Sequence, residues 1–301
     1  VAKVSVVIPS RNETYKTNTG ETVLQRMVRD IYEKATGEFE VIVAFDGPPY
    51  QQLPDYPNLT AMKLPQRGLK PSVNQAVRIA TGKYIYKSDS HCMVGEGFDE
   101  ILQERMEDNW IVTPRFYVLD AEEWKWQDAR FYDYFFLHWP FKDPKNPKFK
   151  AGGHWKQRTR QRLKSHPEMD ETMQIHGSGW FLTKDYFENC LGGMSSVGYD
   201  TFGMEPPELC LKTWLGPWDG KVMVNKKTWY AHMHKGGQRP RGYSLSRSRI
   251  RNSYTWTVNY WMRNSWEERA HDIEWLIERF WPVYGWPKNW REVHQQWLKG
   301  Q

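Results

Sequence analysis

The stretch Lys87-Ser88-Asp89-Ser90-His91-Cys92 carries the plainest chemistry in the chain. It follows Lys83-Tyr84-Ile85-Tyr86, a short alternating apolar run after Thr81-Gly82, so a strand is expected to deliver Asp89 and His91 to its C-terminal end. On an extended backbone residues i and i+2 face the same way, and a carboxylate and an imidazole would converge on one point. A hard carboxylate with a borderline imidazole suits Mn²⁺, Mg²⁺ or Zn²⁺ and leaves positions open for substrate oxygens or water. Asp-Ser-His after a strand also serves as ordinary turn chemistry, so its surroundings must decide between the two.

The elements that would position it read as follows. Val4-Ser5-Val6-Val7-Ile8 is an almost wholly apolar run opening into Pro9-Ser10-Arg11-Asn12-Glu13, as for a parallel strand buried on both faces. Val23, Leu24, Met27, Val28, Ile31, Tyr32 and Ala35 follow at helical spacing up to Gly37, and a second buried run, Val41-Ile42-Val43-Ala44-Phe45, stops at Asp46-Gly47. This is a βαβ unit. In such sheets ligands lie beyond the carboxyl ends of the strands, so the Pro9 to Glu13 loop, Asp46 and Asp89 are expected along one crevice. The absence of Gly-x-Gly-x-x-Gly after the first strand argues against an ordinary dinucleotide fold. A third strand is expected over Leu59 to Leu64, then Arg67-Gly68-Leu69 and a helix capped by Ser72 with Asn74 in its first turn.

Taken together, the Pro9 to Glu13 loop, Asp46-Gly47, Arg67-Gly68-Leu69, Gly82-Lys83-Tyr84-Ile85 and Asp89-Ser90-His91 resemble nucleotide-sugar glycosyltransferases of the GT-A fold. Asp89-Ser90-His91-Cys92 is similar to the metal motif of the polypeptide N-acetylgalactosaminyltransferases. Gly198-Tyr199-Asp200-Thr201-Phe202-Gly203-Met204-Glu205, with Glu208 and Trp214 beyond, resembles a second segment of that family. Trp229-Tyr230-Ala231-His232-Met233-His234-Lys235 resembles a third, which supplies a further metal ligand. The likeness covers roughly residues 3 to 235. It implies an α/β catalytic domain over 1–235, a Rossmann-like, mostly parallel sheet flanked by helices, with 236–301 as a basic, aromatic extension packed on it.

By the same resemblance Asp89, His91 and His232 would hold Mn²⁺ or Mg²⁺, which neutralises a departing diphosphate. His234 falls on a position that need not be a ligand. Pro9, Arg11, Asn12, Glu13, Asp46, Arg67, Asn74, Asp89 and Lys235 would contact a UDP-sugar. Several have plainer roles open to them: Asp46 as a turn cap, Arg67 in a surface ion pair, Lys235 as a solvated cation. Glu205 would hydrogen-bond the donor sugar or the acceptor. Inverting relatives carry a Glu-Asp pair where this chain has Glu205-Pro206, which favours retention; an inverting route would use Asp200 or Glu208 as base. The alternative for Glu205 and Glu208 is complementing a helix N-terminus.

Two basic segments flank these blocks. One runs from Lys142 to Lys164 and the other carries Arg239, Arg241, Arg247, Arg249 and Arg251, interleaved with Tyr243, Tyr254, Trp256, Tyr260 and Trp261. Mobile basic loops there would clamp a donor diphosphate. Equally, cations for phosphates and rings for an unstacked base suit nucleic acid, which points to DNA bearing hydroxymethylated pyrimidines as acceptor. A peptide, glycan or lipid-linked acceptor and a non-catalytic nucleic-acid-binding module are the competing readings.

Composition adds boundaries. The net charge of +6 gains meaning only from this clustering, and the 17 Trp and 16 Tyr suit stacking surfaces for sugars or bases as well as ordinary core and interface filling, which would account for most of them. Cys92, Cys190 and Cys210 form no Cys-x-x-Cys pattern, so no disulfide framework is expected. With no membrane-length apolar run, no secretory segment and no obligate protein partner evident, the expectation is a cytoplasmic protein. Ile273, Leu276, Ile277 and Phe280, amid six tryptophans from Trp266 to Trp297, predict one or two helices packed on the catalytic domain.

Overall fold

The structure is a computed structural model that describes residues 3–300 apart from 144, 146, 150, 151, 166, 200–202, 236–238 and 240. Strand β1 (Val4–Ser10) is buried along its whole length, as its apolar run requires. Helix α1 (Val23–Lys34) returns the chain; Thr22 and Gln25 form a reciprocal capping box at its start. Strand β2 (Phe39–Asp46) pairs parallel with β1, and β3 (Leu59–Leu64) parallel with β2. Helix α2 (Leu69–Ile79) leads to β4 (Tyr84–Ser88), which pairs parallel with the other side of β1. Asp46, Ser10 and Asp89 therefore emerge at one edge, as the βαβ reading demands.

Helix α2 starts earlier than expected. Its N-cap is Gly68 rather than Ser72, at a φ of 99° that glycine adopts without strain. Asp46 Oδ1 accepts the backbone N–H groups of Arg67 and Gly68, so a strand-end carboxylate fixes this turn, and Ser72 Oγ merely donates to the Gly68 carbonyl.

Beyond β4 come β5 (Cys92–Val94), α3 (Phe98–Ile101), β6 (Trp110–Asp120), β7 (Lys125–Tyr132) and a small pair, β8 (Phe135–Phe136) with β9 (Gly153–His154). Helix α4 (Lys156–Leu163) and strands β10 (Met169–Glu171) and β11 (Gly179–Thr183) follow. Then come α5 (Glu205–Leu215) and the long β12 (Lys221–His232). The sheet order is β10-β12-β6-β11-β4-β1-β2-β3, with β5 on β12 and β7 on β6. Strand β11 runs antiparallel between β4 and β6, whereas β6 and β12 are parallel to each other, so the parallel set is interrupted rather than continuous.

The last part of the chain is α6 (Arg247–Met262), α7 (Ile273–Arg279) and α8 (Trp290–Lys299). The basic segment expected as a loop is thus largely helical, because Val258, Trp261 and Met262 give it an apolar face. Those residues, with Trp266, Ile273, Leu276 and Phe280, are buried in the same core as Trp180, Tyr186 and Trp214 of the sheet side. Each fully buried aliphatic side chain there contributes about 1.5–3 kcal/mol, so the extension is stabilised by the catalytic core and stabilises it in turn. Trp286 Nε1 also donates to the Leu137 carbonyl at 2.7 Å. No helix among the described residues is long and apolar enough to cross a membrane.

Candidate active site

Strand β4 ends at Ser88, and the turn after it carries Asp89 and His91 into β5. Strand β5 lies antiparallel on the end of β12 with Cys92 opposite His232, and this register brings the second imidazole to the first. The ligating atoms of Asp89, His91 and His232 all lie within 4.8 Å of one another; His232 Nε2 is 3.5 Å from Asp89 Oδ2. Burial pushes His232 down to about 3, so its imidazole is neutral and its lone pair is available. His91 Nδ1 faces Glu13 Oε2 at 3.0 Å, which turns Nε2 of that ring toward the cluster. One carboxylate and two imidazoles whose free atoms converge fit a divalent cation that keeps open positions.

The cluster is braced from behind. Glu13 accepts from Ser90 Oγ at 2.9 Å and from Lys235 Nζ, as well as facing His91. Burial alone would raise its pKa, but the His91 and Lys235 contacts outweigh that and hold it at about 2. Expected as a donor contact, Glu13 is instead buried behind the ligands as the residue that orients them. Lys87, which sequence reasoning passed over, is 2% exposed; its Nζ donates to Asp89 Oδ1 and to the Gly177 carbonyl. Burial raises the Asp89 pKa, yet the Lys87 ammonium and the His232 contact hold it well below the usual carboxylate range. A buried cation in a strand looks anomalous by pattern alone, and that anomaly was the available signal.

This corner forms the floor of a cavity of about 670 Å³. One side is lined by Pro9, Arg11, Asp46, Gln66, Arg67 and Gly68, most of which the sequence reading assigned to the donor. Arg11 Nη1 lies 3.9 Å from Asp46 Oδ2, and its guanidinium stacks on Tyr243 at 4.9 Å. Asn12 does not line the cavity; its amide holds the Gly242 carbonyl and so ties the segment after β12 across the cleft. Gly152, Ile175, His176, Gly177, Pro206 and His234 also line the cavity. Lys235, Arg241, Tyr243 and Arg249 close the rim.

The two glutamates of α5 part company. Glu205 lines the cavity; Gly203 N–H donates to its Oε1 at 3.1 Å, and burial raises its pKa. Glu208, one turn on, is fully buried and clamped by Lys70 Nζ at 2.7 Å, Lys212 Nζ at 3.1 Å and Ser195 N–H at 2.6 Å. It is a packing ion cluster away from the cavity, which removes it as a base in this arrangement. Asp200 lies outside the described residues. Asn74 likewise turns inward, bridging the Met194 carbonyl and N–H at 2.8 and 3.0 Å.

The arginines also separate. Arg239 forms a bidentate pair with Glu122, whereas Arg241 and Arg249 reach the cavity. Arg247 and Arg251 are exposed on α6. Trp256 is not a free stacking platform: it packs on Tyr199 and Tyr260 and over Gly198, where an added Cβ would lie 2.0 Å from its ring.

The sequence model described as "Glycosyl transferase family 2" matches residues 5–191, more than half of the chain and the part that carries Glu13, Asp46, Asp89 and His91. The chain belongs to this family. No curated protein matches it. Among solved structures it is similar to GalNAc-T7 in complex with UDP, GalNAc and Mn²⁺, at 18% identity and a TM-score of 0.64; the alignment covers 100% of this chain and 56% of that one. It is also similar to residues 1–349 of S. aureus TarS in complex with UDP-GlcNAc, at 13% identity and a TM-score of 0.49, over 82% of this chain and 63% of that one. The first likeness gives the GT-A fold, with a chain little more than half the length of GalNAc-T7.

Proposed function

We propose that this family 2 protein is a metal-dependent glycosyltransferase that moves a sugar from a UDP-sugar to a hydroxyl, with retention, and that its acceptor is a hydroxymethylated pyrimidine in DNA. The observation that carries the reading is the convergence of Asp89, His91 and His232 on the floor of a cavity walled by Arg11, Asp46 and Arg67. Those three residues would hold Mn²⁺ or Mg²⁺, which when bound offsets the charge of a leaving diphosphate. Lys235 and the arginines of the rim add positive charge on the same side. Arg11, Asp46 and the Arg67-Gly68 backbone bind and orient the nucleotide.

The retaining route is supported by what lines the cavity. Glu205 is the only Glu or Asp side chain outside the metal cluster and Asp46 among the described residues lining the cavity, its Oε1 already accepts the Gly203 N–H, and Pro206 follows it where the resembling inverting enzymes carry their base. The bond from the anomeric carbon to the phosphate oxygen breaks, the bond to the acceptor oxygen forms on the same face, and the acceptor proton passes to the leaving phosphate.

The charge of the surroundings supports the acceptor. Arg241 and Arg249 of one basic segment border the cavity, as does Gly152 within the other. A base flipped from a duplex would enter between them while its phosphates stay outside. The test is mass-resolved transfer from a panel of UDP-sugars with Mn²⁺ to hydroxymethylcytosine DNA, hydroxymethyluracil DNA, unmodified DNA and a Ser/Thr peptide. A sugar-sized gain confined to a hydroxymethylated DNA is expected; gain on the peptide alone would overturn the acceptor and keep the chemistry. The absence of any metal-dependent turnover of UDP-sugars would favour a binding module.

A further inference from the structure

Helix α4 and its C-cap carry Lys156, Arg158, Arg160, Arg162 and Lys164 with no acid among them. The fold divides these cations in two. Arg158 turns inward: its guanidinium lies over the rings of Tyr134, Trp155 and Phe280 at 5.2 to 5.3 Å, and Nη2 donates to the Glu171 carbonyl at 3.2 Å. Arg162 pairs with Asp170 Oδ2 at 3.1 Å. With the buried Trp155 and Thr159 they make up the face that packs on the protein. Lys156, Arg160 and Lys164 fall on the opposite face at i, i+4 and i+8, exposed and without an ion pair among the described residues. At 1.5 Å per residue they stand about 6 Å apart in a row about 12 Å long. Gln157 and Gln161, also exposed, run beside them.

Such a row destabilises a free helix. Like charges at i, i+4 repel, here twice in succession, and Lys156 sets a cation in the first turn, against the positive end of the helix dipole. A helix shaped only for solvation would carry an acid in its first turn or at the position of Arg160. A polyanion relieves all of these repulsions at once. The pattern recurs in α6, which has no acid from Arg247 to Met262 and exposes Arg247 and Arg251 at i, i+4. Both helices also open beside the cavity, α4 through Gly152 and β9, α6 through Ser246 and Arg249 on the rim. Resting on the acceptor reading above, we infer that the outer face of α4 is a phosphate track, in which Lys156, Arg160 and Lys164 take successive phosphates along one strand of duplex DNA outside the cavity. A lipid surface is the poorer fit, since Leu163 is the only aliphatic residue of α4 and an interfacial helix needs an apolar face to insert.

The experiment measures binding of the full chain to a duplex carrying one hydroxymethylated pyrimidine across a salt series. Lys156→Gln, Arg160→Gln and Lys164→Gln combined are expected to lower the slope of log affinity against log salt by about 2.7, the share of three phosphate contacts. Arg160→Glu separates this from a structural role. It turns two repulsive pairs into attractive ones, so the thermal midpoint should hold or rise while the slope still falls by at least about 0.9. A midpoint that falls together with binding would make Arg160 a structural cation and overturn the track. Tighter binding of the wild type to phosphatidylglycerol vesicles than to the duplex, at equal phosphate, would overturn it in favour of a lipid surface. Sugar transfer to hydroxymethylated DNA with an unaltered slope in the triple variant would overturn the track and keep the acceptor. A wild type that neither binds nor modifies the duplex would overturn both.

Discussion

The metal corner and the basic surface beside it are built on opposite principles. At the corner Glu13 orients His91, Lys87 holds Asp89, and Ser90 and Lys235 hold Glu13, while His232 Nδ1 alone among the three candidate ligands is buried without a partner. Burial removes water from these contacts and makes each of them hard to rearrange. The surface of α4 and the start of α6 is the reverse, with Lys156, Arg160, Lys164, Arg247 and Arg251 exposed and forming no ion pair within the described chain. Exposed cations adapt to a flexible polyanion at little cost, whereas reacting atoms need one geometry. The difference separates a rigid chemical centre from a surface that gathers and steers.

Four variants would break or sharpen that contrast. The largest effect is expected from Asp89→Ala, which removes a ligand and leaves Lys87 buried without its carboxylate: metal-dependent turnover of UDP-sugar falls below detection while retention on DNA persists. Turnover unchanged from wild type would dismiss the cluster as the reactive centre. Glu208→Gln strands the Lys70 ammonium in the core and is expected to cost about 3–5 kcal/mol in denaturant unfolding, as for any half-removed buried pair. A loss under 1 kcal/mol would mean that the cation-π contact of Lys70 with Tyr199, 3.5 Å to the ring centroid, suffices by itself.

Glu13→Gln keeps the shape and removes the charge behind His91; Mn²⁺ affinity by calorimetry should fall about 10–100-fold, the usual cost of losing an orienting partner. Affinity equal to wild type would show that His91 is positioned by packing alone. At the other pole, reversing Arg247, Arg249 and Arg251 to Glu should weaken DNA binding and flatten the salt dependence by about 2 to 3 units of log–log slope. An unaltered slope would take these arginines out of any nucleic-acid path. The metal affinity of this triple variant should stay at the wild-type value, and a change there would erase the contrast between the two regions.

How much of this was legible follows the range of the interaction that decides it. Strand β1 and strand β2 announce themselves because a strand buried on both faces needs an unbroken apolar run, and Asp89 with His91 stands out because both follow such a strand. Glu13 and Asn12 were read as donor contacts from their loop, yet each points to a partner remote in sequence, His91 and Gly242. Asn74 and Glu208 sit at helical positions that periodicity can place on a face but not against a neighbour.

The chain by itself determined the order of its first elements and the pairing of a carboxylate with an imidazole after β4, because these depend on local sterics and on burial patterns a few residues long. The tertiary structure alone decided that His232 meets them, through the register of β12 on β5. It also decided that Lys87 and Glu13 stand behind the ligands and that Glu205 faces the cavity while Glu208 does not. Those outcomes rest on contacts across tens to hundreds of residues, and only the closed sheet and the core shared with α6 to α8 bring the partners within reach.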